Sequence, residues 1–288
     1  MLRVGHVGLQ VADLDASVAY AERVLGLRVS QRDGDVAYLT CNDRHHELSL
    51  HAADASALDH IAFEVDRSTF GVIEARVDVI ERGSTGVLDA FKFLAPGGFV
   101  IEVFHGMAHD QPRHYDSVAP RPLKFEHVTV KSTCKDELEA VLIGVLGLRL
   151  SDRAEDAVSW LRAGDEHHGV SVIGADVDAL HHYAWQLDAF ATFARVGDHL
   201  LQHGGAFLWG PGHHGIGDNY FCYFRDGDGA VVEYSAGIQR IEDEAAYTPR
   251  VWPDEPLTVN RWGNPAPPVE FVDAVTPIAA SGRREIHA

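Results

Sequence analysis

What most constrains this chain is that it nearly repeats itself. Val24-Leu25-Gly26-Leu27-Arg28-Val29-Ser30 recurs as Val145-Leu146-Gly147-Leu148-Arg149-Leu150-Ser151, an offset of 121 residues. Leu58-Asp59-His60-Ile61-Ala62 recurs as Leu180-His181-His182-Tyr183-Ala184, and His45-His46 as His167-His168, both at 122. Gly5-His6-Val7 maps onto Glu126-His127-Val128, and Gly98-Phe99-Val100-Ile101-Glu102 onto Gly229-Ala230-Val231-Val232-Glu233, where the offset has grown to 131. Motifs that return in one order at a nearly fixed spacing mean a duplicated unit, so one fold must serve both copies. The 288 residues therefore divide into two homologous domains, about 1–108 and 120–238, and a tail over 239–288. The tail, with Trp252, Trp262 and Pro265-Ala266-Pro267-Pro268, is expected to pack over a domain or a partner and to end in disorder.

Each copy alternates a short strand, a helix and further strands. His127-Val128-Thr129-Val130 has the period of two of a half-buried strand, and Leu138, Val141, Leu142 and Val145 then fall on one helical face that ends at Gly147. Alternating runs follow around 158–160 and 170–172. A second such unit starts at His182, runs through a helix carrying Phe190, Phe193, Leu200 and Leu201 to Gly204-Gly205, and closes with strands near 219–225 and 230–235. The expected class is α+β: two domains, each of two βαβββ modules forming a curved, barrel-like mixed sheet with flanking helices.

Hydrophobic residues at 46% and charged residues at 23% suit a soluble globular protein. There is no apolar run near the roughly 20 residues of a membrane helix, and the opening residues lack a signal-peptide layout, so no membrane is expected and a cytoplasmic location is. With 43 Asp and Glu against 24 Lys and Arg, the net charge of −19 disfavours a nucleic-acid partner, because phosphate-backbone binding depends on cationic side chains. Cys41, Cys134 and Cys222 are odd in number and scattered, forming neither a disulfide framework nor a metal knuckle. The conspicuous count is 18 His, the commonest metal-ligating side chain.

The module pattern puts His127 and His182 on the first strands of two successive modules and Glu233 on the last strand of the second. Two imidazoles and one carboxylate on facing strands form the ligand set that leaves open positions on a non-haem Fe(II), with Mn(II) as the alternative metal. One carboxylate leaves the ion a net positive Lewis acid, and the vacant positions can take a chelating substrate and O2 together.

These residues carry a resemblance. His167-His168-Gly169-Val170-Ser171-Val172, Leu180-His181-His182-Tyr183, the loop Trp209-Gly210-Pro211-Gly212-His213-His214-Gly215, Tyr223 nine residues beyond His214, and Glu233 ten beyond that are similar to the catalytic domain of the type I extradiol ring-cleaving dioxygenases of the vicinal oxygen chelate superfamily. Asn260-Arg261-Trp262-Gly263 is similar to a late Trp-Gly segment of the same enzymes. The resemblance implies Fe(II)-dependent extradiol (meta) cleavage of a catechol-type vicinal diol with O2, in aromatic-compound catabolism, by a homo-oligomer. It implies His127, His182 and Glu233 as metal ligands, His168 as the acid/base that delivers a proton as the O–O bond breaks, and Tyr223 and His214 as hydrogen-bonding partners of the substrate oxygen. Two positions depart from the pattern: Asp226-Gly227-Asp228-Gly229 stands for the usual Asp-Pro-x-Gly turn, and His213 for a common Arg.

The repeat also places His6, His60 and Glu102 opposite the second-domain triad, and His46 opposite His168. Two metal sites are therefore conceivable, but Lys92 and Gly83 stand where Tyr223 and His214 would be and the resemblance implies a structural first domain, while the larger offset near Glu233 suggests an insertion at the His213-His214 loop. Trp160, Val172, Trp185 and Phe207 are candidate pocket walls that also suit plain core. Two other readings are a hydroquinone-cleaving dioxygenase using the same triad, and a glyoxalase-like or non-catalytic ligand-binding protein.

Overall fold

The computed structural model describes residues 2–110, 119–253, 255–263 and 266–279. Pro265 and the expected disordered end at 280–288 lie outside the described residues.

Four βαβββ modules follow one another. The first is β1 (Leu2–Val11), α1 (Leu14–Arg23), β2 (Arg28–Asp33), β3 (Val36–Thr40) and β4 (Leu48–Ala52), and the second β5 (Ala57–Val65), α2 (Arg67–Glu74), β6 (Val79–Arg82), β7 (Asp89–Leu94) and β8 (Val100–His105). The third is β9 (Lys124–Ser132), α3 (Lys135–Gly144), β10 (Arg149–Ala154), β11 (Val158–Arg162) and β12 (Val170–Gly174). The fourth is β13 (Ala179–Gln186), α4 (Thr192–Gln202), β14 (Trp209–His213), β15 (Tyr220–Arg225) and β16 (Val231–Ala236).

The first two modules share one mixed sheet, in the order β2-β3-β4-β1-β5-β8-β7-β6. The last two share another, in which β14-β15-β16-β13-β9-β12-β11-β10 is extended by β17 (Arg250–Trp252) beside β10, while β18 (Thr276–Pro277) pairs with β13. In both sheets the modules join through antiparallel first strands, β1 with β5 and β9 with β13. The repeated Val-Leu-Gly-Leu has a local cause. Gly26 (φ +69°) and Gly147 (φ +85°) take the left-handed conformation just beyond α1 and α3, where a side chain would be strained and glycine turns the chain into the next strand.

Two details of the second domain differ from expectation. Along α4, Phe193, Val196 and Leu200 are buried, but Leu201 is 76% exposed and Phe190, ahead of the helix, is 42% exposed. The extra residues are not in the His213-His214 loop either: 83–88 and 214–219 join their strands with equal lengths. They lie in the connections around α4, which has 11 residues where α2 has 8. The second repeat is thus longer in the connections that flank its helix, and its loop carries the histidines at an unchanged length.

Strand register then assembles the site. Ala184 of β13 pairs with His127 on one side and with Glu233 on the other, and Glu233 pairs with Tyr223. One row across four strands therefore reads His127, Ala184, Glu233, Tyr223. His182, two residues along β13 from Ala184, shares its face because side chains alternate with a period of two. Ala184, the small residue of the row, leaves room for imidazole and carboxylate to meet above it. In the first domain the same register gives His6, Ala62, Glu102, Lys92.

Candidate metal centre and its cavity

His127, His182 and Glu233 are all buried, and a donor atom from each lies within 4.8 Å of the other two. His127 Nε2 and His182 Nε2 stand 3.1 and 3.2 Å from the same carboxylate oxygen, Glu233 Oε2. The neighbours fix which nitrogens point inward. Phe271 O accepts from His181 Nε2 (2.9 Å), so His181 Nδ1 is left to accept from His182 Nδ1 (2.6 Å), and His182 Nε2 carries the lone pair. His127 Nδ1 donates to Glu126 (3.1 Å), itself held by Gln186 Nε2 (3.0 Å). Partners of this kind orient metal-ligating imidazoles and raise their basicity. Asn219 Nδ2 donates to the other oxygen of Glu233 (3.2 Å) and to Ser235 Oγ (3.0 Å), which locks the carboxylate.

Electrostatics makes the triad acceptor-rich. Burial resists ionisation of Glu233, yet His127 and His182 hold its carboxyl well below the usual range. Burial lowers His127, but Glu233 and Glu126 outweigh it and carry its imidazole up to about 9, so the metal-free triad is tied by a proton at Nε2 that a cation would replace. Two inward imidazole nitrogens and an ionised carboxylate are a donor set that fits a divalent first-row ion.

The triad sits at the head of a cavity of about 440 Å³, which His168, His214 and Tyr223 also line. Its walls are largely apolar, including Trp160, Trp209, Ile216, Val259, Phe271 and Val272. His168 Nδ1 is engaged by His167 Nδ1 at 3.0 Å, and burial, with the charges of His127 and His167, keeps its imidazole well below the ordinary histidine range and hence neutral. His214 Nδ1 donates to Val259 O (2.5 Å), so its Nε2 accepts from the Tyr223 hydroxyl (3.0 Å). Burial lowers His214 to about 4, while burial and Glu233 push the Tyr223 phenol well above 10: one stays a neutral acceptor and the other a protonated donor.

All six residues singled out in the sequence thus meet around one cavity. His213 does not join them: its ring stacks on Tyr220 (centroids 4.5 Å apart) and its Nε2 is 3.2 Å from Asp218. Of the four candidate walls only Trp160 lines the cavity; Val172 and Trp185 are wholly buried core, and Phe207 borders a separate hollow beside α4. The Asp226-Gly227-Asp228-Gly229 turn remains tight, its Asp226 Oδ1 accepting from the amides of Asp228 (3.0 Å) and Ala230 (2.9 Å). Sequence reasoning missed Glu126, Asn219 and the tail's part in the walls. A carboxylate beside a ligand histidine was a usable signal for Glu126; Asn219 offered none. The tail buttresses the loop through Arg261 N to His213 O (2.7 Å), Gly215 N to Thr258 O (3.0 Å) and the Val259 carbonyl.

Fold and centre define a paired-module protein with a metal-type cleft in its second sheet, and comparison with known proteins agrees. The chain belongs to the Glyoxalase/Bleomycin resistance protein/Dioxygenase superfamily, whose family model matches residues 3–234. It is 27% identical over 289 residues to a manganese-dependent 2,3-dihydroxybiphenyl 1,2-dioxygenase of Geobacillus genomosp. 3, covering 88% of this chain and 91% of that one. It is 29% identical over 267 residues to metapyrocatechase 2 of Cupriavidus necator, covering 83% and 82%. Among solved structures, a Mn(II)-bound glyoxalase from Novosphingobium aromaticivorans superposes with a TM-score of 0.85 at 25% identity, over 98% of this chain and 100% of that one. Homoprotocatechuate 2,3-dioxygenase from Arthrobacter globiformis superposes with 0.85 at 22% identity, over 97% and 93%, a likeness of fold.

Proposed function

We propose that the protein is an extradiol ring-cleaving dioxygenase that opens a catechol-type vicinal diol with O2, in aromatic-compound catabolism, using a divalent ion, Fe(II) or Mn(II), held by His127, His182 and Glu233. The observation that carries this reading is the meeting of those three donors at the head of an apolar cavity that also holds a neutral histidine, His168, and a hydrogen-bonded His214–Tyr223 pair. The relatives named as metapyrocatechase and dihydroxybiphenyl dioxygenase support it.

When bound, the ion supplies Lewis acidity for a chelating diol and a route for electrons between the ring and O2. His127 and His182 present Nε2 to it, and Glu233, steadied by Asn219, supplies the anionic donor. His168, neutral and lining the cavity, takes the proton of a substrate hydroxyl and returns it when the O–O bond breaks. Tyr223, whose one hydroxyl proton goes to His214 Nε2 in the free protein, turns that proton to the substrate oxygen as negative charge gathers there. The Trp160, Trp209 and Phe271 side of the cavity excludes water and suits a diol on an uncharged aromatic frame. Both atoms of O2 enter the ring-opened product.

Three free cysteines support a reducing, cytoplasmic setting, and among the described residues no helix is long and apolar enough to cross a membrane. Assembly as a homo-oligomer belongs to the same reading and is checked by sedimentation.

The test is to add catechol, then hydroquinone, to Fe(II)-loaded protein in air while recording oxygen uptake and absorbance. Uptake with a yellow product from catechol is expected. Uptake with hydroquinone alone would replace this reading with para-diol cleavage, and binding with no uptake from either diol would favour a glyoxalase-like or binding role.

A further inference from the structure

The first domain keeps a second triad. His6 on β1, His60 on β5 and Glu102 on β8 are buried, and their donor atoms lie within 4.8 Å of one another. The two Nε2 atoms are 3.0 Å apart, and they stand 3.7 Å (His6) and 3.6 Å (His60) from the two oxygens of Glu102. Ligand bonds of about 2.1 Å that subtend angles of about 90–120° put donors roughly 3.0–3.6 Å apart, so this spacing suits three ligands of one ion. It is too long for hydrogen bonds between imidazole and carboxylate.

Glu102 makes the case. Its side chain is 0% exposed and neither oxygen has a hydrogen-bond partner, whereas Glu233 in the matching position is hydrogen-bonded by His127 and Asn219. A buried carboxylate left this way is costly and calls for a counter-charge. Lys92, which occupies the place of Tyr223, does not supply one closely: its ammonium is 3.9 Å from Glu102 and 3.1 Å from Glu81, to which it donates. The surroundings are also those of a ligand set. His60 Nδ1 lies 2.7 Å from Asp59, which Gln10 Nε2 orients (3.0 Å), so His60 Nε2 presents a lone pair inward as His182 does.

We infer that His6, His60 and Glu102 hold a second divalent first-row ion, which ties β1, β5 and β8 together in the first domain. Because Lys92 and Gly83 replace Tyr223 and His214, this ion serves structure and takes no part in oxygen chemistry. The inference does not rest on the proposed function: it concerns another triad and is read by metal content and stability.

Protein is loaded anaerobically with excess Mn(II), desalted, and its metal counted by mass spectrometry. Two ions per chain are expected in the wild type, one in Glu102→Gln, one in His182→Ala, and none in the double variant. Added Mn(II) should also raise the melting temperature of His182→Ala, since a ligand of the native state stabilises it, and leave the double variant unmoved. Lys92→Met, which keeps all three donors, should still bind two and covers the case in which Glu102→Gln fails to fold. One ion in the wild type with none in His182→Ala would overturn the inference, as would a double variant that still retains an ion. A Lys92→Met protein that melts lower while the wild type holds one ion would assign the counter-charge to Lys92 instead.

Discussion

His167 Nε2 lies 3.2 Å from Asp152 Oδ2, which makes Asp152 the outer end of a line that runs through His167 Nδ1 to His168 at the cavity wall. Asp152 is itself pinned by three tail groups: Trp252 Nε1 at 2.6 Å, the Arg250 amide at 2.8 Å and the Tyr247 hydroxyl at 3.1 Å. With that carboxylate opposite Nε2, the His167 proton stays on Nε2, so His167 Nδ1 accepts from His168 Nδ1 and leaves His168 Nε2 as the free base. The tail thus sets the tautomer of the proposed acid/base from the edge strand of the sheet.

Replacing His168 by Phe keeps the triad and removes the proton carrier. The variant should retain its second-domain metal while kcat falls by about 100- to 10,000-fold, the range general acid–base catalysis contributes. Metal analysis beside oxygen-uptake kinetics checks this; loss of the ion together with activity would mean that His168 acts on the centre's integrity.

Asp152→Asn tests the line behind His168. Loss of the carboxylate should lower kcat by about 10- to 100-fold, the usual effect of partners that orient a site, with metal content unchanged. A variant that only melts earlier, with the wild-type kcat, would reduce Asp152 to an anchor for the tail.

Asp226 gives stability a pH dependence of known sign. Burial lifts its carboxyl from 3.8 to about 6, against the hydrogen bond from the Tyr183 hydroxyl and helped by Asp228. A group whose folded value is raised contributes stability fully below its unfolded value, and that contribution disappears as pH rises through about 6. Asp226→Asn stays neutral and keeps an acceptor for the Asp228 and Ala230 amides. Its melting temperature relative to wild type should therefore climb by about 2–4 °C between pH 4 and pH 7. A constant difference across that window in calorimetry would refute the assignment.

The repeat made much of the architecture legible, because its offsets fix which strand of one module matches which strand of the next, and hence that His127, His182 and Glu233 share a sheet. Tyr223 and His214 were named through the family resemblance, and the antiparallel pairing of β15 with β16 explains why that spacing sets Tyr223 opposite Glu233. Asn219 and Asp152 were not legible, since each reaches the site by a side-chain contact that no periodicity records. Phe271 and Val259 were hidden too, because a tail without repeated texture gives no sign of where it docks. Leu201 misled for a plain reason: next to Leu200 on a helix it must point about 100° away, and here that direction is solvent.

The most direct test of the central claim is an anomalous difference map at the iron edge from crystals grown without oxygen, with Fe(II) and a slowly reacting catechol. The account predicts, in the second domain, one peak about 2.0–2.2 Å from His127 Nε2, His182 Nε2 and the Glu233 carboxylate, with both diol oxygens bound on the cavity side. A second domain without such a peak, or a fourth side-chain donor filling the side toward Tyr223 and His168, would contradict it.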